Sequence, residues 1–322
     1  GGGADFLEAT PDAFRTVAEA HAQYGTTALY ATLAVFSPDT FRRAVRACGQ
    51  VQRHPGNGAA VLGLHLEGNY LNPAMKGGQP PEYISNPDPA EYEAMLDAAP
   101  CIKRWSAASE LPGAHDFARC AVSRGVLVAL AHTTADYGEV KAACAAGFTH
   151  ATHFYNAMTG VHREGEYKRE GTVEGIYLTD EMTVEVIADG IHVTPALLRM
   201  AYKFKGAERI ALVTDSMAAG AMPEGGKPFD PRVIVEDGVC KLADRSALAG
   251  SIATADRLIR TMVREAGVPL EDAVRMASET PARIMGISDR KGTLEAGKDA
   301  DVILFDDDIT VRAVFVGGRR VK

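Results

Sequence analysis

The stretch "AAVLGLHLEG", residues 59–68, is a continuous apolar run that ends in a carboxylate, Glu67. Similar short runs, rich in β-branched residues, recur along the chain and alternate with segments that carry helix-start signals. The other runs that read as strands span residues 26–35, 101–110, 126–134, 149–156, 182–190 and 209–216. Strands that alternate with helices form parallel sheets, so this pattern predicts an α/β fold, a TIM (β/α)8 barrel with one strand still to be found.

Two segments depart from this alternation and set the predicted domain organisation. We expect the barrel to occupy residues 1–290, with a hairpin insertion at about 226–247. Residues 291–322 read as short antiparallel strands, the C-terminal part of a small β-sandwich domain. The chain opens with "GGGADF", a glycine turn that runs straight into a helix. We therefore expect the first barrel strand to be missing from this chain.

The composition is typical of a soluble globular protein and argues against several partners. The 322 residues are 46% hydrophobic and 24% charged, with a formal net charge of −8. No block of Lys or Arg is long enough to follow a phosphate backbone, which argues against nucleic acid. No apolar run reaches the length of a membrane span. The five cysteines include no CxxC pair, which fits free thiols in a reducing cytoplasm.

Titratable residues recur where the predicted strands end, which is where TIM barrels carry their active sites. These residues are Glu67, His132, His153, Asp189 with His192, and Asp215. Acids and histidines are costly inside an apolar barrel unless they are paired or bind a metal. Glu67, His132 and His153 offer one carboxylate and two imidazoles, the ligand set of a catalytic zinc or iron site. Asp215 is then a natural general base and acid.

Strand parity separates His150 from His153 in "GFTHATHFYNAM", residues 147–158. Side chains alternate between the two faces of a strand, so these two histidines are expected to point in opposite directions. We expect His153 to face the barrel mouth and His150 to face the helix layer, and a shared metal is not expected. The histidines interpreted as structural are His21, His54, His65, His115 and His150.

Two further residues keep two interpretations each. Trp105 fits either the hydrophobic core or a platform for a sugar ring, and its spacing does not decide between them. Glu110 ends a predicted strand, so it fits either a pocket wall or a structural hydrogen bond.

Several motifs in fixed order resemble one known family. These are "GLHLEGNYLNPAMKGGQ", "AHTTAD", "THATHFYNAMTG", "IADGIHV", "LVTDSMAAG" and "LAGSIAT". Together they resemble the N-acetylglucosamine-6-phosphate deacetylases of the amidohydrolase superfamily, over essentially the whole chain. The ending "ETPARIMGISDRKGTLEAGKDADVILFD" is similar to the closing segment of many amidohydrolases and is less specific.

The resemblance implies metal-dependent hydrolysis of an acetamide, which releases acetate and glucosamine 6-phosphate. Glu67, His132 and His153 match the metal ligands, and Asp215 matches the catalytic acid. The metal implied is most simply zinc, with iron as the alternative. The residues that match substrate-binding positions are Gln79, Asn156, Ala157, His192, Leu248, Ala249 and Gly250.

The resemblance also implies a homodimer, because a basic residue after "NAM" reaches the phosphate bound by the neighbouring subunit. Arg163 is the first candidate for this role, and His162 and Lys168 are its rivals.

The chain departs from the family pattern at three places. It has Gly68, Asn69 and Tyr70 where GPF or GPY is usual, which alters loop stiffness because proline fixes φ. Gln79 stands where a histidine often contacts the substrate carbonyl, and an amide donates a hydrogen bond without a positive charge. Many members carry a His-x-His pair before the glycine turn, which leaves a second metal site open.

Two enzyme alternatives and one binding alternative stay open. The enzyme alternatives are a deacetylase for the galactosamine epimer and a cyclic-amide hydrolase on the same scaffold. The third is a non-catalytic sugar-phosphate-binding paralogue, which the missing strand and Gln79 favour. The three ligands and Asp215 argue against it.

Overall fold

The structure is a computed structural model that describes residues 1–222 and 230–322. Its strands are β1 (Ala28–Ala34), β2 (Ala60–Glu67), β3 (Ile102–Ala107), β4 (Leu127–Leu130), β5 (Phe148–Ala151), β6 (His162–Glu164), β7 (Tyr167–Arg169), β8 (Thr183–Val186), β9 (Ile210–Leu212), β10 (Val233–Glu236), β11 (Val239–Leu242), β12 (Leu248–Ser251), β13 (Val302–Phe305), β14 (Val311–Val316) and β15 (Arg319–Arg320). Its helices are α1 (Pro11–Ala22), α2 (Pro38–Arg53), α3 (Pro89–Ala98), α4 (Ala114–Ser123), α5 (Tyr137–Ala146), α6 (Thr172–Leu178), α7 (Pro195–Lys205), α8 (Ala255–Arg264), α9 (Leu270–Ala277) and α10 (Glu279–Ile284).

Seven parallel strands form one curled sheet in the order β1-β2-β3-β4-β5-β8-β9. This order follows the chain, as in a TIM barrel, and most strands are followed by a helix. The prediction of a βα barrel is therefore confirmed. Among the described residues the ladder does not close, because β1 and β9 each pair with one neighbour in this sheet.

Several helices begin at a residue whose side chain caps them. Thr10, Ser37, Asp88 and Asp136 each accept a backbone N–H in the first turn of the helix that follows. Helix α5 ends at Gly147, whose φ of 118° is a left-handed value that glycine adopts without steric cost. These local signals set the ends of the helices that carry them.

The core lies between the helices and the sheet and contains the single tryptophan. Trp105 is 1% exposed, stacks on Tyr70 at 5.5 Å between ring centroids, and meets the edge of Phe117. Its Nε1–H donates to the carbonyl oxygen of Gly68 at 2.8 Å. Of the two interpretations kept for Trp105, the structure supports the core.

The predicted hairpin insertion is part of a three-stranded antiparallel sheet, β10-β11-β12. Strands β10 and β11 form the hairpin, and β12 extends the sheet beyond the predicted boundary at 247. Residues 226–229 of the prediction lie outside the described residues. The third strand ends at Ser251, whose backbone N–H donates to the carbonyl of Asp215 at 2.9 Å. The sheet is thus joined to the loop that follows β9.

The C-terminal segment forms a second antiparallel sheet, β13-β14-β15, after the helices α8 to α10. This sheet contacts the end of helix α1, where Gln23 Nε2 donates to the carbonyl of Val321 at 3.2 Å. The division into a barrel at 1–290 and a β domain at 291–322 stays a prediction. Among the described residues, no helix combines the length and the hydropathy required to cross a membrane.

Candidate metal centre

Three buried side chains from neighbouring strands converge at the carboxyl end of the sheet. Glu67 is the last residue of β2, and His132 and His153 each follow their strand by two residues. Glu67 Oε1 lies 3.0 Å from His132 Nε2 and 3.3 Å from His153 Nε2, and the two Nε2 atoms are 3.2 Å apart. Each of the three residues is 5% exposed. The structure thus brings together the three residues predicted to bind a metal.

At three of the functional residues, His132, His153 and Asp215, the backbone has already left the preceding strand. His132, His153 and Asp215 have φ of 48°, 32° and 45°, in the left-handed region that L residues seldom adopt. Each such residue costs about 1–3 kcal/mol, and such residues concentrate at functional sites. The predicted strands at 126–134, 149–156 and 209–216 were therefore too long at their carboxyl ends.

The hydrogen bonds of His132 indicate that a cation belongs between the three side chains. His132 Nδ1 lies 2.7 Å from the carbonyl oxygen of Met75, which can only accept, so Nδ1 carries the proton. A neutral His132 then points the Nε2 lone pair at the carboxylate of Glu67. Two acceptors at this distance repel each other unless a proton or a metal ion lies between them. The donor set, one carboxylate and two imidazoles, fits a divalent cation.

Mutual contact shifts the protonation of these groups. Burial raises the pKa of Glu67, but the contacts with the imidazoles of His132 and His153 outweigh burial and hold this pKa well below its usual value. Burial lowers the pKa of His153, and the bond to Glu67 reverses the effect, raising this pKa to about 9. Metal binding requires a neutral imidazole and so releases this proton. Burial, followed by the charge of Glu67, raises the pKa of Asp215.

One cavity of about 1580 Å³ reaches the three side chains along the inner face of the sheet. The other predicted site residues that line it are Gln79, Asn156, Ala157, His192, Asp215, Leu248, Ala249 and Gly250. Gln79 Nε2 is 3.5 Å from Glu67 Oε1, so its amide lies at the candidate centre. Arg163 is not among the lining residues of its own chain. It lies on the exposed β6-β7 hairpin, where it pairs with Lys168 across the two strands.

His192 is held by an aspartate that was noted at a strand end but not assigned to the site. Asp189 Oδ2 accepts from His192 Nδ1 at 2.7 Å, and Asp189 Oδ1 accepts from the backbone of Ile191 and His192. Burial raises the pKa of Asp189, and the bond from His192 turns the net shift downward. His192 Nε2 is buried without a protein partner, so this nitrogen is available to a ligand in the cavity.

The prediction that His150 faces the helix layer is wrong. His150 Nδ1 is 2.7 Å from Thr183 Oγ1, and His150 Nε2 is 3.6 Å from Glu185 Oε2, both on the inner face of the sheet. Residues of one strand alternate reliably only inside the strand, and β5 ends at Ala151. His153 lies beyond that end, so parity does not relate its direction to that of His150. His150 is still outside the cluster of three.

The inner face also carries an ion pair that sequence reasoning missed. Arg104 on β3 makes two hydrogen bonds to the carboxylate of Glu185 on β8, and Arg104 Nη2 donates to Thr152 Oγ1 at 2.7 Å. Glu185 Oε1 also accepts from the backbone N–H of His153 at 3.2 Å. The one available signal was parity, because Arg104 shares a strand face with Ser106 and pairs in register with His65.

The sequence is similar to known proteins over nearly its full length. The sequence matches the model of the amidohydrolase family over residues 6–321. It is 36% identical over 322 residues to N-acetylglucosamine-6-phosphate deacetylase of Vibrio furnissii, an alignment that covers 99% of this chain and 79% of the relative. It is 34% identical over 322 residues to N-acetylgalactosamine-6-phosphate deacetylase of Escherichia coli, covering 99% of this chain and 84% of the relative.

The fold is similar to solved structures of the same kind. The crystal structure of N-acetyl-D-glucosamine-6-phosphate deacetylase from Mycobacterium smegmatis superposes with a TM-score of 0.91 at 35% sequence identity. The superposition covers 100% of this chain and 84% of that one.

Proposed function

The chain belongs to the amidohydrolase family, and on that premise we propose that it hydrolyses the acetamide of N-acetylglucosamine 6-phosphate to glucosamine 6-phosphate and acetate. One observation carries the proposal: Glu67, His132 and His153 converge beside a cavity that Asp215 also lines. The full-length similarity to deacetylases of phosphorylated amino sugars supports the choice of substrate.

The proposed metal is zinc, with iron as the alternative, held by Glu67, His132 and His153. One carboxylate oxygen and two imidazole nitrogens leave a coordination position open, as catalytic sites require. When bound, such a cation polarises the acetamide carbonyl and lowers the pKa of water. The described residues support one metal site.

Asp215 is the proposed proton carrier. Its carboxylate accepts a proton from the attacking water and passes it to the nitrogen of the departing amine. Burial and the nearby charge of Glu67 raise the pKa of Asp215, which makes its carboxylate a stronger base than an exposed aspartate. The amide of Gln79 lies close enough to Glu67 to donate a hydrogen bond to a carbonyl oxygen placed there.

The sugar phosphate is proposed to lie along the cavity wall. His192 offers its unpartnered Nε2 to a sugar hydroxyl, and Asp189 sets the direction of the ring. Asn156 and Ala157 follow the ligand His153 in a turn where φ of Ala157 is 51°, which presents backbone groups to the cavity. Leu248, Ala249 and Gly250 form the opposite wall on β12.

We propose a homodimer in which the β6-β7 hairpin of one subunit reaches the phosphate bound by the other. The hairpin is exposed on both strands and carries Arg163, with His162 and Lys168 as the alternative donors. Its cations do not line the cavity of their own chain, so a contact across subunits accounts for them. A cytoplasmic location is proposed with this function.

The test measures acetate release from N-acetylglucosamine 6-phosphate by the zinc-loaded chain. Because Asp215→Asn keeps the shape but cannot accept a proton, we expect kcat to fall about 100- to 10,000-fold with zinc still bound. Asp116→Asn is the control, since Asp116 is exposed and pairs only with Arg119. Undiminished turnover by Asp215→Asn would contradict the assigned proton transfer.

The galactosamine epimer is the second candidate substrate, because a relative with that name is 34% identical to the chain. Both sugar phosphates and dihydroorotate are therefore assayed in parallel. Faster turnover of the galactosamine epimer would move the assignment to that substrate, and turnover of dihydroorotate alone would replace it with cyclic-amide hydrolysis. Zinc binding without any turnover would indicate the non-catalytic paralogue.

A further inference from the structure

Glu110 lies just beyond the end of β3 and accepts four hydrogen bonds from two different loops. Its Oε1 accepts from Asn72 Nδ2 at 2.7 Å, from the backbone N–H of Thr134 at 2.7 Å and from Thr134 Oγ1 at 3.1 Å. Its Oε2 accepts from Thr133 Oγ1 at 2.5 Å. One of these loops directly follows His132, and the other is hydrogen-bonded to it.

The first loop is the segment that directly follows His132. Thr133 and Thr134 supply three of the four donors, one of them a backbone N–H. His132 itself has φ of 48°, so the chain must be held there against an intrinsic preference for other conformations. The carboxylate of Glu110 anchors the two residues whose position decides where this strained residue points.

The second loop carries the hydrogen-bond acceptor for the His132 ring. The backbone N–H of Asn72 donates to the carbonyl oxygen of His132 at 3.0 Å. Asn72 Oδ1 caps the short 3-10 helix Pro73–Met75 through the N–H of Ala74 at 2.9 Å. The carbonyl of Met75 in that turn accepts from His132 Nδ1 at 2.7 Å. Glu110 therefore holds the asparagine that positions this carbonyl.

The location of Glu110 separates it from the reacting groups. It does not line the cavity that contains Glu67, His132 and His153, but a smaller hollow beside Ser109 and His115. A direct role in substrate binding does not fit this position. A stabilising role confined to the loops does not explain why both loops it joins converge on one histidine.

We propose that Glu110 is a positioning residue for the metal ligand His132. By joining the loop after His132 to the turn that carries the Met75 carbonyl, it keeps the proton on Nδ1 and directs the Nε2 lone pair to the metal. The inference rests on the metal centre of the proposed function. It extends that proposal to a residue which touches neither metal nor substrate.

The experiment measures the zinc dissociation constant of the folded chain by competition with a chromogenic chelator, without substrate. Because partners of this kind contribute about 10- to 100-fold to metal affinity, we expect Glu110→Ala to raise the constant by about that factor. Glu110→Gln keeps one acceptor oxygen and is expected to recover part of the loss. Glu8→Ala is the matched control, because it removes a carboxylate that accepts a backbone N–H in the capping box of the Phe6–Glu8 turn, outside both loops.

Three outcomes would overturn the inference. Parent-like zinc affinity in folded Glu110→Ala overturns it, even if that variant melts earlier. An equal loss of affinity in Glu8→Ala also overturns it, because the effect would then follow from general destabilisation. If the parent binds no zinc, the metal centre of the proposed function fails and the inference fails with it.

A milder variant keeps the test decisive if circular dichroism shows that Glu110→Ala is unfolded. Thr134→Val preserves the side-chain shape and removes a hydroxyl that bonds both Glu110 and Asn72. A rise of a few-fold in its zinc dissociation constant supports the inference. An unchanged constant in this variant overturns it.

Discussion

His21 shows how one buried side chain makes the stability of this molecule depend on pH. It lies in the last turn of α1, is 5% exposed, and has no side-chain hydrogen bond among the described contacts. Burial is the main cause that lowers its pKa from 6.5 to about 4. The unfolded chain therefore takes up this proton at a higher pH than the folded chain.

The sign of the effect follows from this depressed pKa. Its contribution to stability is fully present above pH 6.5 and is lost as the pH falls towards 4. Between pH 7 and pH 5 we expect the chain to lose about 2 kcal/mol of unfolding free energy through this residue. His21→Leu should remove that part of the loss, as measured by urea unfolding at both pH values.

His54→Leu is the control for this prediction, because His54 is exposed to solvent. Its unfolding free energy should fall between pH 7 and pH 5 as steeply as that of the parent. A parent-like slope in His21→Leu would show that His21 already takes up its proton in the folded state.

Strands β3, β5 and β8 are tied together across the inner face of the sheet by charge rather than by apolar packing. The guanidinium of Arg104 is 10% exposed and the carboxylate of Glu185 is 6% exposed. Burial raises the pKa of Glu185, and the charge of Arg104 more than reverses this, holding it well below its usual value. Glu185 also accepts a hydrogen bond from the backbone N–H of His153. The pair therefore serves both the sheet and the candidate metal centre.

A double-mutant comparison separates the contribution of this ion pair to the stability of the sheet from its contribution to the candidate metal centre. Removing one partner leaves a buried charge, so Arg104→Met should cost about 3–5 kcal/mol of unfolding free energy. Arg104→Met combined with Glu185→Leu should recover much of this loss, because no uncompensated charge remains. Denaturant unfolding of the parent, both single variants and the double variant measures the effect.

Zinc affinity should not recover along with stability. The double variant still lacks the acceptor for the His153 N–H, so its zinc dissociation constant should stay raised. Arg119→Met is the control, because Arg119 forms an exposed pair with Asp116 that contributes little. If the double variant is as unstable as Arg104→Met, the buried charge is not the cause of the loss.

At the scale of the whole molecule, the functional groups are distributed over two surfaces. The candidate centre and its cavity lie inside the curled sheet, whereas the basic β6-β7 hairpin stands outside it with Arg163 exposed. In the proposed homodimer each complete site contains groups from both chains. Symmetric dimers are built from the same patch on both subunits, so each chain both gives and receives a hairpin.

Mixing two inactive variants tests this arrangement. Asp215→Asn lacks the proposed proton carrier, and Arg163→Ala lacks the proposed phosphate contact. After subunit exchange, a mixed dimer contains one complete site, so an equal mixture should regain activity at about a quarter of all sites. Activity of the mixture at low substrate concentration is compared with each variant alone.

Replacing Lys168 supplies the specificity control for the mixing experiment. Lys168 lies opposite Arg163 on the hairpin, and Lys168→Ala should keep near-parent activity on its own if Arg163 is the phosphate donor. The absence of any recovery in the mixture, with exchange verified, would place the phosphate contact within a single chain.

The sequence predicted the barrel and the residues of the candidate site better than it predicted the directions in which the side chains point. Glu67, His132 and Asp215 could be selected because charged groups ended apolar runs, a pattern that local sequence displays directly. The left-handed backbone at His132 and His153 could not be predicted, because the hydrogen bonds around these residues come from Glu110 and Glu185, which are distant in sequence. Arg104 and Glu185 escaped notice because the pair forms across 81 residues of sequence.

The partner of the His132 ring is a main-chain carbonyl, and this has a consequence for how the site tolerates variation over generations. Every amino acid brings the same carbonyl to position 75, so no substitution of Met75 deletes the acceptor itself. The side chains that hold the ligand are therefore those of Asn72 and Glu110, and not the side chain of the residue that contacts the ring. A substitution at position 75 therefore changes the cavity wall without removing the acceptor that orients the His132 ring.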